Sequence, residues 1–145
     1  MAKAAAAELD FARSGLNVEK FLAQYREWRT VIDQRNKIVN ADLDGTAVLI
    51  AGYLLPLEFA EAGVTDFLLV PYVGACIHVP PPPPNQIVFV RLAEKFQVAN
   101  LFTPVWVSGN LKTKASSKAL TLIDGTADIT VGYQIDGGRA KIYRE

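Results

Sequence analysis

The sequence is poor in the residues that build covalent cross-links and metal cages. Its 145 residues include one cysteine, one histidine and one methionine. A single cysteine cannot close a disulfide within the chain, and a structural zinc site needs four ligands, usually drawn from cysteine and histidine. The chain is long enough to bury most of the surface that its unfolded form exposes. We therefore predict a fold that an apolar core holds together.

An excess of charge and a long apolar run are also absent. The 15 basic and 15 acidic residues balance to a net charge of zero. No apolar run reaches the ~18 residues of a membrane span, and the small basic cluster of Lys112, Lys114 and Lys118 has no interleaved aromatic residues. We therefore predict neither nucleic-acid binding nor membrane insertion.

The sequence also lacks the motifs of several large enzyme classes. It has no glycine-rich phosphate loop, no Gly-x-Ser-x-Gly elbow and no His-Glu-x-x-His pair. We therefore assign no catalytic residue. These absences favour a binding protein over an enzyme without deciding between them.

An alanine-rich segment over residues 1–15 is predicted to be flexible or a short helix. It lacks the basic start and apolar stretch of a secretory signal. Residues 16–145 are predicted to form one globular domain, with a helix over 17–36 and a β-barrel over 46–143. Asn17 is the expected N-cap of the helix, and its apolar face is Val18, Phe21, Leu22, Tyr25, Trp28 and Ile32. We expect this face to pack against the sheet, with Tyr25 and Trp28 in the core.

From Thr46 onward the apolar period becomes two, which is typical of β-strands. The stretches 46–54 and 103–111 share a pattern of alternate apolar side chains that face inward. Gly52 interrupts this pattern in the first stretch, and Gly109 interrupts it in the second. Such a glycine permits the bend or bulge with which a few strands close into a barrel. We predict a mainly β (α+β) fold, a small OB-like β-barrel of five to six strands with one long N-terminal amphipathic helix. A two-layer sandwich is the alternative.

The predicted strands cover 46–54, 66–72, 86–92, 105–113, 127–134 and 140–143. Turns between them are expected at several pairs of small or polar residues, including Ser116-Ser117 and Gly137-Gly138.

Cys76 and His78 form the strongest candidate for a metal site. If the chain is extended there, residues two apart point to the same face, so a thiol and an imidazole converge. Sulfur with imidazole nitrogen suits zinc or copper. A third ligand would come from Glu58, or next from Asp66, or a second copy of the chain would supply a second Cys76 and His78. The alternative is that Cys76 only fills space in the core.

Five consecutive prolines follow this pair. They must adopt a polyproline II conformation, and we interpret them as a rigid strap that aims the site, with an exposed rod for a partner's aromatic groove as the alternative. The predicted supporting residues of this loop are Tyr72, Pro80, Pro81, Pro82, Pro83, Pro84, Asn85 and Gln86.

The segment GACIHVPPPPPNQ, residues 74–86, is long and unusual. With VTDFLLVPYV at 64–73 directly before it, PLE at 56–58 and PVWV-x-G at 104–109, it resembles a bacterial family of unknown function whose hallmark is GACIH-x-PPPPPNQ. The resemblance covers most of the chain after the helix. It implies small exported or envelope proteins, hence a periplasmic or envelope location, and it places Glu58, Cys76, His78 and residues 80–86 in the shared pattern.

Two functions follow as hypotheses. The first is a non-enzymatic bacterial envelope protein that holds zinc or copper at Cys76 and His78 as a carrier, sensor or accessory protein. The second is a protein–protein interaction module whose proline-rich loop docks on an envelope partner without metal.

Overall fold

The computed structural model describes Gly15 and residues 17–58, 61–98, 100–122 and 125–144. Apart from Gly15, the tail predicted over residues 1–15 lies outside this part of the chain. The chain divides into two compact units, one that ends at Arg35 and one that begins at Asn36. No helix among the described residues combines the length and the apolar character needed to cross a membrane.

Helix α1, Val18–Arg35, belongs to the first unit. Asn17 caps it as predicted, because its side-chain Oδ1 accepts a hydrogen bond of 2.9 Å from the backbone N–H of Lys20. None of the helix residues is buried. Tyr25 and Trp28 are 46% and 57% exposed, so the expectation that they lie in the core is wrong.

The second unit is built on a closed barrel. Its strands follow the order β1-β2-β3-β7-β4, with β3 and β7 parallel and the other neighbouring pairs antiparallel. Strands β5 and β6 form a separate two-stranded hairpin. The prediction of a small OB-like barrel with one N-terminal helix is confirmed. The strands are β1 Thr46–Pro56, β2 Val64–Val70, β3 Val88–Phe96, β4 Thr103–Lys112, β5 Ser116–Leu122, β6 Gly125–Val131 and β7 Tyr133–Ile142.

The barrel interior is one apolar cluster, and two glycines make room for it. A Cβ on Gly52 would lie 2.8 Å from Leu69 Cγ, and one on Gly109 would lie 2.5 Å from Ile135 Cγ2. At Gly109 the β4–β7 pairing also shifts register, which is the bulge that the glycine pattern predicted. The buried members are Leu54, Val64, Phe67, Leu69, Val88, Val90, Leu92, Val105, Val107, Leu111 and Ile135.

Three predicted boundaries in the second half of the chain are wrong. Ser116 and Ser117 begin strand β5 instead of forming a turn. Gly137, with φ +68°, and Gly138 lie inside β7, where the pairing with β3 shifts register, so they form a bulge. Gly132 interrupts the strand predicted over 127–134, because β6 ends before it and β7 begins after it.

A second apolar cluster lies outside the barrel. Leu68 and Phe89 alternate with barrel-facing neighbours, so their side chains leave the opposite face of β2 and β3. The β5–β6 hairpin contributes Leu120 and Ile129 to the same cluster. The remaining buried members are Leu55, Val70, Ala75, Cys76, Ile87, Phe102 and Val131.

Candidate functional site

The loop between β2 and β3, residues 71–87, contains the predicted site. Its first half is a tight turn around Gly74, which has φ +87°. The Gly74 carbonyl accepts hydrogen bonds from the backbone N–H groups of Ile77, His78 and Val79, at 3.3, 2.9 and 3.2 Å. The segment is therefore not extended, and the expectation that places Cys76 and His78 on one face of an extended chain is wrong.

Cys76 points into the second apolar cluster. It is 8% exposed and has φ +68°, a left-handed conformation that is uncommon outside glycine. Burial raises the pKa of its thiol to about 11. The thiolate is the form that attacks electrophiles, so burial makes this sulfur a poor nucleophile at neutral pH.

The other predicted metal ligands lie in different surroundings. His78 and Glu58 are both exposed. Glu58 and Asp66 line one cavity of about 350 Å³, which neither Cys76 nor His78 lines. Asp66 is already engaged, because Arg91 Nε and Nη2 donate to its two carboxylate oxygens at 3.2 and 3.1 Å.

The structure thus places Glu58 and Asp66 on one cavity, which the thiol does not line. Nowhere in the described part of the chain do three or more His, Cys, Asp or Glu side chains gather as a metal site would require. Cys76 and His78 are therefore not part of such a group among the described residues.

The proline segment is tied to the barrel at its C-terminal end. Pro80 and Pro81 are exposed, Pro82 is buried, and Pro83 and Pro84 are half-buried. Pro83 has φ −54° and ψ 146°, close to polyproline II. A 3₁₀ turn, Pro84–Gln86, follows.

Three hydrogen bonds fix that turn. The Pro84 carbonyl accepts from the Gly132 N–H at 2.8 Å, the Asn85 N–H donates to the Asn36 carbonyl at 3.0 Å, and the Asn85 side-chain Nδ2 donates to the Ile38 carbonyl at 3.1 Å. Gln86 is exposed, and its backbone N–H donates to the Pro83 carbonyl. This geometry fits the strap interpretation better than a free rod.

The loop also exposes an apolar rim, which we define as Tyr72, Val73 and Val79. Their exposed fractions are 40%, 62% and 44%. The Tyr72 hydroxyl donates to the Pro80 carbonyl at 3.5 Å, which links the rim to the proline segment. The sequence pattern pointed to Tyr72 as a residue of this loop site but not to Val73 or Val79. The sequence feature that could have identified Val73 and Val79 is that both are apolar and flank a turn that begins at Gly74.

The fold and this loop define a small OB-like barrel protein that carries an added hairpin on its outer surface. The chain belongs to the DUF3299 family, described as a protein of unknown function, whose family model matches residues 5–141. This confirms the resemblance to a family of unknown function, and the GACIH-x-PPPPPNQ hallmark stays a prediction.

One solved structure is similar. It is the crystal structure of a DUF3299 family protein from Pseudomonas aeruginosa PAO1, with 41% identity and a TM-score of 0.61. The similarity covers 74% of this chain and 68% of that chain. No curated protein matches.

Proposed function

We propose that the protein is an interaction module that docks on a protein partner through the apolar rim of the 71–87 loop. The observation that carries this proposal is the division of the loop into two sides. Cys76 and Ala75 pack inward, whereas Tyr72, Val73 and Val79 are turned toward solvent. Apolar and aromatic side chains held on a fixed backbone lose little conformational entropy on binding, which favours recognition by a partner.

The anchoring of the loop supports the same function. Three N–H groups converge on the Gly74 carbonyl, and the Pro84 carbonyl is bound to Gly132. The rim is therefore presented by a backbone that is fixed at both ends. The chemistry of the rim calls for a protein partner with an apolar groove, into which Tyr72 and the exposed Pro80 would fit.

An envelope location, as the resemblance implies, belongs to this proposal. A zinc or copper site at Cys76 and His78 stays a prediction as well. It receives less support from the geometry, since the thiol is buried and the imidazole is exposed.

Site-specific photocrosslinking in the bacterium that encodes the chain tests the docking function. With a photoreactive residue in place of Val73, we expect one discrete adduct, and Val79→Asp should reduce its yield about tenfold, because a carboxylate at the rim would be desolvated on docking. The matched control carries the same photoreactive residue at Thr126, an exposed position on β6.

An adduct of twice the mass of the chain would identify the partner as a second copy. The same adducts at Val73 and Thr126, or no adduct at Val73, would contradict the proposal.

A further inference from the structure

A second exposed surface lies on the outside of β1, β4 and β7. Val105 and Val107 point into the barrel, so the side chains between and after them, Trp106 and Ser108, lie on the outer face. In the register of the sheet, Trp106 stands opposite Lys141, and Ser108 stands opposite Arg139. We name this surface the outer β1–β4–β7 face. Its cavity has a volume of about 530 Å³ and is lined by Leu49, Trp106, Ser108, Arg139, Ala140 and Lys141.

The outer β1–β4–β7 face combines apolar and cationic side chains. Leu49 is 65% exposed, and Trp106 stacks on Tyr143 with ring centroids 5.4 Å apart. Arg139 and Lys141 supply two positive charges, and no carboxylate lines the cavity. Among the described residues neither cation forms a salt bridge. The cavity therefore has positive charge that is not neutralised by its own walls.

The spacing of the two cations fits an extended chain. Residues 139 and 141 are two apart on one strand, so their Cα atoms lie roughly 6.8 Å apart along it. Alternate side chains of an extended peptide have the same separation. Two carboxylates at such positions could each meet a cation, while an apolar side chain two residues further along, on the same face of the peptide, contacts Leu49 or Trp106.

We propose that the outer β1–β4–β7 face binds an acidic, apolar segment of a partner protein in an extended conformation. Single-stranded nucleic acid is the competing anionic ligand, and two observations disfavour it. The chain has no net positive charge. One face of the Trp106 ring is also covered by Tyr143, which leaves less surface on which a base could stack. This proposal is independent of the docking function of the 71–87 loop, because the two surfaces share no residue.

The test uses a defined peptide and the fluorescence of Trp106. The protein has two tryptophans, so Trp28→Phe leaves Trp106 as the only reporter. The probe is the acetylated hexapeptide Asp-Ser-Asp-Ser-Phe-Ser, in which the two carboxylates and the phenyl ring lie on one face of the extended chain. We expect saturable binding below about 1 mM that weakens as the ionic strength rises from about 0.15 M to about 0.5 M.

The decisive variant is Arg139→Glu with Lys141→Glu, in which the dissociation constant should rise at least about tenfold, because charge-assisted hydrogen bonds become repulsive contacts. The matched control is Lys114→Glu, an exposed lysine outside the cavity, which should change binding less than about twofold. A melting curve of each variant checks that the substitutions leave the fold intact.

Four results would overturn the proposal. The first is the absence of peptide binding at about 1 mM. The second is equal affinity for a peptide in which lysine replaces each aspartate. The third is equal affinity of the double variant for the acidic peptide. The fourth is tighter binding of an eight-nucleotide oligothymidine than of the acidic peptide.

Discussion

Cys76 shows how one residue of the 71–87 loop is committed to packing. Its backbone lies in the left-handed region, with φ +68°, and this conformation directs the side chain into the apolar cluster that includes Ile87 and Phe89. A left-handed conformation at a residue other than glycine carries a cost in free energy. The burial of the thiol and the hydrogen bonds to the Gly74 carbonyl offset that cost.

The raised pKa of Cys76 predicts how stability depends on pH. In the unfolded chain the thiol ionises near pH ~8.5, whereas burial holds its pKa in the folded protein at about 11. The protonated thiol therefore contributes its full share to the free energy of unfolding below pH ~8.5, and this contribution is lost as the pH rises through about 11. We expect the free energy of unfolding to fall by on the order of 3 kcal/mol over this interval, beyond any change in Cys76→Ala. Urea unfolding of both proteins at several pH values measures this, and identical pH profiles would show that the thiol is accessible to water.

At the scale of the element, hydrogen bonds from Asn85 anchor the second half of the 71–87 loop, and the side chain of its neighbour Gln86 contributes less. The Asn85 amide reaches the Ile38 carbonyl, and its backbone N–H reaches Asn36, so it joins the loop to the chain that precedes the barrel. Gln86 is exposed and shows no side-chain hydrogen bond among the described contacts. The two residues were equivalent in the sequence, as adjacent amides after a proline run.

Asn85→Ala and Gln86→Ala form a matched pair for this element. We expect Asn85→Ala to lower the free energy of unfolding by about 1–2 kcal/mol, because the Ile38 carbonyl loses its donor. Gln86→Ala should change it by less than about 0.5 kcal/mol, as is usual for an exposed side chain. Denaturant titration gives both values. Equal losses in the two variants would mean that the side chain of Asn85 does not anchor the loop.

Sequence patterns predicted strands β1 to β4 well and strands β5 to β7 poorly. The period of two from Thr46 located β1, and the shared glycine pattern located the bulge at Gly109. Gly137 and Gly138 were assigned to a turn, because a pair of glycines is compatible with either a turn or a bulge and only the pairing with β3 decides between them. Strand β5 was missed because two serines mark its start.

The sequence located the segment that contains the candidate site, but it did not predict the direction in which the Cys76 side chain points. The unusual composition of residues 74–86 pointed to the correct loop. The direction of Cys76 depends on a positive φ and on contacts with the distant β5–β6 hairpin, and a single sequence shows neither.

At the scale of the whole molecule, the two proposed docking functions use different exposed surfaces of the barrel unit. OB-folds typically bind ligands on the outer face of strands 2 and 3. Here Leu68 and Phe89 on that face are covered by Leu120 and Ile129 of the hairpin and by Cys76 of the loop. The exposed apolar features of the barrel unit that remain include the rim of the loop and the outer β1–β4–β7 face.

The central claim is that Cys76 packs in the core while the opposite side of its loop meets a partner. The rate at which Cys76 reacts with a small disulfide reagent near pH ~7.5 tests this claim most directly, because Cys76 is the only cysteine. The account predicts that folding slows the reaction at least about 100-fold relative to the unfolded chain, and that added zinc does not change the rate. A rate close to that of the unfolded chain, suppressed by equimolar zinc, would contradict the account and support a metal site at Cys76 and His78.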